Sequence, residues 1–518
     1  MPAEIELKLS IAPEHIPAVG RIAQLKSASR GRAVTRSLYS IYYDTAEFAL
    51  RDQGAALRLR RTGSHWIQTL KTAGLVEAGL HQREELETPV PAQILNYTVL
   101  AQSNAAPLLT DPELPLKLRP VFVTDFKRTT RLLQLDAGTQ IEFCLDRGTV
   151  SAGDVHIPIS EIELELKSGP PVALLDFALR LLEAVPLRLE AASKAERGYA
   201  LAAGLLAAPV KARTPVLLPS MSVTEGFRTV VFACIAHLQA NERGILENGD
   251  AEYLHQARVA LRRLRSALSV FNLAFPRGLF EEQIAELRWL GRFLGPARDW
   301  DVFATETLAA LLAAFPGDIG LHGMLERTAA LRGEANAAAR KAISSTRYTA
   351  TLLRLTGTFL REPWSQLDNE QAALERSLSL LRFTSDVLAR RHKKVLKTGK
   401  NIGELDAPGL HALRIEIKKL RYAAEFFSAL YEKKDVREYL IALTGLQELL
   451  GGLNDAATVE RLLEPLRRGE SAGERGEAVG LLRGWTAAGT RARLDRLPKA
   501  WDEFRDRGVF WKKVRDEG

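Results

Sequence analysis

The sequence predicts an α+β protein of several domains, with an antiparallel β-sheet or barrel first and an all-helical region after it. The chain has 518 residues, which is too long for a single hydrophobic core. Charged and apolar residues alternate with a period of two up to about residue 200, whereas apolar residues beyond it recur at three- and four-residue spacing. A segment containing Pro209, Pro215 and Pro219 separates the two patterns.

This change of pattern sets the expected domain boundaries. We expect a first domain over residues 1–205, a linker over 206–221 and a helical domain over 222–512. Prolines make the linker segment unsuitable for either a helix or a central strand. An internal repeat, described below, divides the helical domain at about 222–375 and 376–512.

Composition excludes several classes of protein. With 46% hydrophobic and 26% charged residues the chain is an ordinary folded protein, and its two cysteines exclude a disulfide framework. We see no stretch of about 20 apolar residues and no room for a signal peptide before the first strand, so we expect a cytoplasmic protein with no membrane association. The net charge of +8 favours polyanionic partners.

The charged strands are the first functional signal. Residues two apart on a strand share one face, so Glu4, Glu6 and Lys8 point the same way, as do Arg58 and Arg60. For any single strand, a solvated outer face is the simpler explanation. Acids cluster on some strands and bases on others, however, and a water-filled barrel can turn such residues inward. There, acids would hold a metal ion and bases would hold phosphate.

The segment Glu4 to Lys8, Glu-x-Glu-x-Lys, resembles the signature of the CYTH (triphosphate tunnel metalloenzyme) family. Further segments follow in the family's order. They are Tyr43 to Thr45, Leu57 to Arg60, Thr69 to Lys71, Arg83 to Glu87, Phe126 to Arg128, Asp146 to Gly148, Glu163 to Lys167 and Ser193 to Gly198. The resemblance implies an eight-stranded antiparallel β-barrel whose tunnel binds triphosphate with Mg²⁺ or Mn²⁺.

The residue types fit these roles, because divalent cations prefer carboxylates and phosphate prefers Lys and Arg. The expected metal ligands are Glu4, Glu6, Glu163, Glu165 and Asp146. The expected substrate-binding residues are Lys8, Arg58, Arg60, Lys71, Arg128 and Lys194. Glu4, Glu6, Lys8 and Lys71 are expected to be catalytic, through in-line attack of water on a terminal phosphorus. Glu85 is either a ligand or a salt-bridge partner, and Glu161 is either a ligand or a salt-bridge partner at the rim.

The helical half repeats itself. The segment His255 to Arg265 returns 156 residues later as His411 to Arg421, and the same offset relates Asp250 to Asp406 and Asp299 to Asp455. We infer two related helical bundles in tandem, related by a pseudo-twofold axis. In each repeat, four basic residues fall within an arc of about 80° on one helix face. They are His255, Arg258, Arg262 and Arg265, and then His411, Arg414, Lys418 and Arg421.

Residues 220–510 resemble the CHAD domain, which implies inorganic polyphosphate as the ligand of these eight residues. The second repeat departs from the family pattern at Asn454 to Ala457, where a second Asp is missing. Asp299 and Asp455 are expected to cap a helix or to orient basic side chains. A solvated helix face is the alternative for one basic stripe alone. The basic stripes contain no aromatic residues for base stacking, so we expect no specific nucleic-acid binding.

The leading hypothesis is metal-dependent hydrolysis of inorganic triphosphate to pyrophosphate and phosphate, combined with polyphosphate binding by the helical domain. A second hypothesis keeps the tunnel and changes the substrate to thiamine triphosphate, a nucleoside triphosphate, or ATP for cyclisation. A third is a noncatalytic polyphosphate-binding scaffold. The four glutamates Glu4, Glu6, Glu163 and Glu165 argue against the scaffold, because binding phosphate does not need them.

Overall fold

The structure, a computed structural model, divides the chain into two compact units. The first comprises residues 1–208 and 344–361, and the second comprises residues 209–343 and 362–518. The structure describes residues 4–72, 74–77, 80–83, 85–97, 113–204, 208–367, 376–377, 379–466 and 473–512. Within these ranges the side chains of 75–77, 81–83, 367, 453–455 and 473–475 are not described.

An antiparallel sheet of eleven described strands forms the first unit. The strands are β1 (Glu4–Ile11), β2 (Ser29–Asp44), β3 (Ala56–Thr62), β4 (His65–Lys71), β5 (Leu75–Glu77), β6 (Leu80–Arg83), β7 (Glu85–Val90), β8 (Arg119–Gln134), β9 (Gln140–Ala152), β10 (Val155–Ser168) and β11 (Leu187–Leu189). Their order is β5-β6-β1-β10-β9-β8-β2-β3-β4-β7, with β11 paired to β1. The alternating sequence pattern therefore does form an antiparallel sheet.

The described pairings leave β5 and β7 at the two ends of the sheet, so this sheet is not a closed barrel. Strand β6 pairs with β1, and β7 pairs with β4 at the other end of the sheet. Only residue 84, which lies outside the described residues, separates β6 from β7 in the chain. The eight-stranded barrel stays a prediction.

Three longer helices complete the first unit: α1 (Val172–Leu182), α2 (Lys194–Ala202) and α7 (Thr346–Arg361). Helix α2 begins with a capping box, in which the Ser193 side chain accepts a hydrogen bond from the Glu196 amide and the Glu196 side chain accepts one from the Ser193 amide. Single-turn or short helices lie at Ile16–Val19, Ala23–Ala28, Ala49–Asp52 and Leu114–Lys117.

Helix α7 was not expected in this unit, because its sequence falls within the predicted first helical repeat. It packs against α1 and β11. The Thr349 hydroxyl donates to the Leu187 carbonyl over 2.9 Å, and Arg361 pairs with Asp176. Since Leu355 and Phe359 are fully buried, apolar packing rather than a surface contact holds this helix in place.

The second unit is helical, as the sequence predicts. Its longer helices are α3 (Val223–Glu247), α4 (Ala251–Phe271), α5 (Glu281–Val302), α6 (Ile319–Ile343), α8 (Leu380–Thr398), α9 (Ala407–Phe427), α10 (Lys433–Leu449), α11 (Gly451–Leu466), α12 (Gly473–Leu494) and α13 (Leu497–Arg505). Short helices lie at Ala309–Ala314 and Trp364–Leu367, and a π-helical segment lies at Phe303–Leu308. No helix in the described part of the chain is both long and apolar enough to span a bilayer.

The internal repeat is visible in matching elements. Helices α4 and α9 both have 21 residues, are capped by Asp250 and Asp406, and are followed by a 3-10 turn. They also contact each other. The repeats differ further along, because α5 runs on through Gly295, whereas α10 ends at Leu449 and α11 begins at Gly451. The side chain of Asp455, the repeat partner of Asp299, lies outside the described residues.

Candidate functional site

The charged faces of the sheet are buried. On β1, Glu6 is 9% and Lys8 is 4% exposed, while Leu7 and Leu9 on the other face are fully buried. Asp146 and Glu161 are at most 1% exposed, and Arg58 and Lys194 are below 8%. A solvated outer face would leave such side chains in water. These residues therefore form an enclosed polar site.

Three carboxylates come close together in the middle of β9 and β10. One oxygen from each of Asp146, Glu161 and Glu163 lies within 4.8 Å of the others, which is within reach of one metal ion. The Lys194 ammonium at the start of α2 lies 2.7 Å from Asp146 and 2.9 Å from Glu163, and it also pairs with Glu161. Lysine thus already supplies positive charge to this group.

Two further bases neutralise the same acids. Lys8 Nζ lies 3.0 Å from Glu163 Oε1 and 2.5 Å from Glu6 Oε1. Arg128 donates two hydrogen bonds to Asp146, of 2.8 and 2.6 Å, and also pairs with Glu163. Burial would raise the pKa of Glu163, but Lys194, Lys8 and Arg128 hold it well below its usual range. Glu163 is therefore ionised and charge-compensated.

A second acidic group lies on β1, β7 and β10, and positive charge compensates one of its members, Glu4, only partly. Its members are Glu4, Glu6, Glu85 and Glu165. Burial raises the pKa of Glu4 to about 7, and Glu6, Glu85 and Glu165 add to the rise, whereas Lys71, 3.7 Å away, lowers it. Lys71 lies closer to Glu85, at 2.7 Å. Despite burial, Lys71 and Arg58 lower the pKa of Glu85 to about 2.

Positive charge is in excess on β3. Arg58 donates to Glu85 over 2.9 Å, but Arg60 donates only to the Ser40 hydroxyl, over 3.0 Å, in the described residues. Burial, and next the neighbouring Arg58, lower the pKa of Arg60 to about 10. Burial opposes ionisation of Tyr42, yet Arg58 and Arg60 lower its pKa. An anion beside Arg60 would relieve this excess charge.

The donor set fits a divalent cation at the second acidic group. Mg²⁺ and Mn²⁺ prefer carboxylate oxygens, and Mg²⁺ commonly uses one or two protein carboxylates together with substrate phosphates. The pKa of the half-buried Glu4 is raised first by burial and further by Glu6, Glu85 and Glu165, so Lys71 only partly compensates these acids. The group formed by Asp146, Glu161 and Glu163 does not lack positive charge, because Lys8, Arg128 and Lys194 already compensate it.

In the helical unit, the two basic stripes converge. Burial lowers the pKa of Lys418 to about 7, and four nearby guanidinium groups add to this effect. They belong to Arg258 and Arg262 on α4 and to Arg414 and Arg421 on α9. We call these five residues the basic cluster. The Nε of Arg262 is buried and has no hydrogen-bond partner in the described part of the chain, so an acceptor from outside would be stabilising.

Asp299 on α5 holds one end of the basic cluster. Its carboxylate lies 3.5 Å from Arg258 Nη2 and 2.6 Å from Arg461 Nη2 on α11. Arg298 lies near His255, whose pKa is lowered by burial and then by that arginine. Asp299 therefore lies where it orients basic side chains.

The structure brings most of the expected site residues together. The eleven expected on the sheet and α2 lie in the enclosed site, with Glu165 at its more open side and paired to Lys167. Of the eight on the helices, Arg265 instead lies near Arg288, and His411 is exposed. Arg83 and Glu84, from one of the matching segments, fall outside the described side chains.

Sequence reasoning missed several participants. Arg197 pairs with Glu161, and its spacing of three from Lys194 places both on one face of α2. Glu161 is a buried member of the first acidic group rather than a rim residue. Arg461 has no counterpart in the first repeat, since the offset maps it onto Thr305, so the repeat gave no signal for it.

The chain matches two family models. Residues 2–199 match the CYTH domain, and residues 229–464 match the CHAD domain. The inorganic triphosphatase of Haemophilus influenzae is 36% identical over 201 residues, which are 38% of this chain and 54% of that protein. This chain therefore matches only about half the length of that relative.

Two other similarities extend further along the chain. An uncharacterized protein of Mycobacterium tuberculosis is 28% identical over 510 residues, covering 92% of this chain and 90% of its own length. The crystal structure of the CHAD domain from the plant Ricinus communis covers 57% of this chain and 96% of its own, at 36% identity and a TM-score of 0.47.

Proposed function

We propose that this chain, which joins a CYTH domain to a CHAD domain, hydrolyses inorganic triphosphate in its first unit and binds inorganic polyphosphate with its second. The observation that carries the first half is the burial of acids and bases on one enclosed face of the sheet. The similarity to an inorganic triphosphatase supports the same reaction, with pyrophosphate and phosphate as products.

The proposed tunnel closes the sheet through β6 and β7. These strands pair with β1 and β4 respectively and are one residue apart in sequence. If β6 and β7 together count as one strand of the barrel, the two ends meet and eight strands surround the buried charged face. A closed barrel of that size has room inside for side chains and one small ligand.

In the proposed site, Glu4, Glu6 and Glu165 hold Mg²⁺ or Mn²⁺, and Glu163 and Asp146 complete the ligand set. The cation, when bound, neutralises phosphate charge and polarises the reacting phosphoryl group. Lys8 and Lys194 now pair with acids, and an arriving triphosphate offers both ammonium groups a new anionic partner. That exchange would leave the Glu163 and Asp146 oxygens free to hold the cation.

The basic residues of the site position the phosphates. Arg58, Arg60 and Arg128 present planar donors that suit phosphate oxygens. Lys71, between Glu4 and Glu85, stabilises the charge that develops on the terminal phosphoryl group. Phosphoryl transfer needs mainly this positioning and neutralisation, so a water held by the carboxylates can attack in line. The proposal includes no covalent intermediate on the protein.

The second half of the proposal rests on the basic cluster. Burial and four nearby guanidinium groups lower the pKa of Lys418 to about 7, while Asp299 pairs with Arg258 and Glu425 pairs with Arg421. Crowding like charges costs stability, and a phosphate chain that binds them offsets this cost.

Both cysteines are free and buried, which supports the proposed cytoplasmic location.

Two variants separate the two activities. Glu4→Gln should lower triphosphate turnover at least about 100-fold by removing a metal ligand, and leave polyphosphate affinity unchanged. The paired substitution Arg262→Glu with Lys418→Glu should weaken polyphosphate binding about 100-fold and leave turnover unchanged.

Matched controls are available on exposed surface. Glu14→Gln removes the same charge as Glu4→Gln, and Arg496→Glu with Lys499→Glu reverses the same two charges. Full activity of the Glu4→Gln variant would refute the metal assignment. Unchanged polyphosphate binding by the charge-reversed pair would refute the function proposed for the helical unit.

A further inference from the structure

A groove beside the basic cluster is lined by the interdomain linker. It has a volume of about 340 Å³, with Lys211 and Arg213 from the linker along one wall. Helices α4 and α9 form the other wall, through Gln256, Arg263, Arg421 and Glu425. The groove is therefore lined by the linker and by one helix from each of the two repeats.

The linker is fixed where it enters this groove. The Val210 amide donates to Asn241 Oδ1 over 3.0 Å, and its carbonyl accepts from Asn241 Nδ2 over 2.9 Å. The same carbonyl lies 3.0 Å from His237 Nε2. Asn241 is fully buried, so these hydrogen bonds are shielded from water. Lys211 and Arg213 come soon after Val210 in the chain, so this anchored backbone holds them at the groove.

Positive charge in the groove is only partly compensated. Glu425 lies 2.7 Å from Arg263 and 3.5 Å from Arg421, so its carboxylate is shared between two arginines. Lys211 and Arg213 are exposed and have no acidic partner among the residues that the structure describes. Four bases thus meet one acid, which favours an anionic ligand.

The groove continues from the basic cluster. Arg421 belongs to both, since it lines the groove and also acts on Lys418, three residues earlier on α9. Its counterpart in the first repeat, Arg265, lies instead near Arg288 on α5. The row of basic residues therefore continues from the Arg421 side of the cluster toward the linker, and not from the Arg265 side.

We propose that this groove is a second phosphate subsite, which takes the part of a polyphosphate chain that extends past the basic cluster. Lys211 and Arg213 are its ligands, and a chain must be long enough to reach from Arg262 and Lys418 past Arg421 to benefit from them. The helical unit then favours long chains over triphosphate. This inference rests on the polyphosphate binding proposed for the same unit.

The test compares chain lengths on the full protein. Lys211→Ala with Arg213→Ala is titrated with long-chain inorganic polyphosphate and with triphosphate, in EDTA to suppress hydrolysis. We expect affinity for long chains to fall about tenfold, and the slope of log affinity against log salt to become shallower by about 1.4, since each phosphate contact on a single strand contributes about 0.7. Affinity for triphosphate should stay within twofold of the unmodified protein.

Controls distinguish this inference from the function on which it rests. Arg496→Ala with Lys499→Ala removes the same two charges from exposed positions and should leave both affinities unchanged. Arg262→Glu with Lys418→Glu should weaken binding of long chains about 100-fold, and if it does not, the proposed function of the helical unit fails. If that pair weakens long-chain binding but the linker variant matches its control, only the groove assignment is overturned.

A separate titration tests whether the groove binds nucleic acid rather than polyphosphate. A single-stranded oligonucleotide of equal charge should bind weakly and be insensitive to the linker substitutions, because base stacking needs exposed aromatic side chains and Tyr422 in the groove wall is 4% exposed. If the oligonucleotide binds as tightly as polyphosphate and loses the same factor in the linker variant, the assignment to polyphosphate is overturned.

Discussion

At the scale of single residues, Lys418 is the most informative side chain of the helical unit. Arg414 and Arg421 face it from its own helix, and Arg258 and Arg262 face it from α4. With a pKa of about 7 in the free protein, Lys418 is half-protonated near neutrality. A bound phosphate chain favours the protonated form and raises this pKa, so binding takes up a proton above pH 7.

We therefore predict that polyphosphate affinity is highest below pH 7 and falls at higher pH, by up to about tenfold per unit for one linked proton. Lys418→Arg keeps the charge at all these pH values, so its affinity should be nearly independent of pH. Titrations from pH 6 to 9 at constant ionic strength measure both profiles. If polyphosphate affinity fell equally with pH in the two proteins, a group other than Lys418 would cause the pH dependence.

Lys194 has a comparable role in the sheet unit, as the amine shared by three buried carboxylates. Lys194→Ala removes that shared charge and leaves the acids partly unpaired. We expect the free energy of unfolding of the first unit to fall by about 3–5 kcal/mol, the usual cost of breaking a buried pair. Urea denaturation followed by circular dichroism measures this change.

The matched control for Lys194 is Lys167→Ala. Lys167 pairs with Glu165 at a side chain that is 36% exposed, so its loss should cost less than about 1 kcal/mol. Equal destabilisation of the two variants would mean that the buried network contributes no more than a surface pair.

At the scale of elements, α7 links the two halves of the sequence. It lies in the sheet unit, contacts β11 through Thr349, and β11 pairs with β1 at Leu9 and Ile11. Strand β1 also carries Glu4, Glu6 and Lys8. Packing of α7 thus supports the strand on which the proposed catalytic residues lie.

Leu355→Ala should destabilise the sheet unit by about 2–5 kcal/mol, because it leaves a cavity where the side chain is fully buried. We expect triphosphatase activity to be lost at a lower temperature, while polyphosphate affinity at 25 °C stays unchanged. Arg354→Ala, on the exposed side of α7, is the control. If Leu355→Ala lost polyphosphate binding at a lower temperature than turnover, α7 would stabilise the helical unit rather than the sheet unit.

The alternating strands and the helical repeat could be predicted, because each leaves a short-range period in the sequence. The pairing of charges could not, because it depends on strand register. Lys8 lies opposite Glu163, and Arg128 lies opposite Asp146, only once β1, β10, β8 and β9 are aligned. For the same reason, the sequence did not show that Glu4 would be less compensated than Glu163.

The position of α7 was also beyond sequence reasoning. Its amphipathic pattern, with Leu352, Leu355 and Phe359 buried, fits a helix in either unit. Only tertiary packing decides which apolar surface covers it. Arg461 was missed for a related reason, because its partner Asp299 is 162 residues away and the repeat offset does not connect them.

At the scale of the whole molecule, the two proposed phosphate functions belong to separate units of one chain. The sheet unit combines acids and bases, which suits a metal ion with a short phosphate chain. The basic cluster and groove of the helical unit present mainly bases, which suits a longer chain without a metal. The net charge of +8 is thus less informative than its distribution.

The most direct test of the central claim is phosphate release by the full protein from inorganic triphosphate, ATP and thiamine triphosphate, each with Mg²⁺ and with EDTA. We predict rapid release from inorganic triphosphate with Mg²⁺, little from the other two, and none in EDTA. Preferential release from ATP or thiamine triphosphate would contradict the proposed substrate. No release from any of the three would contradict the enzymatic function and leave polyphosphate binding as the main activity.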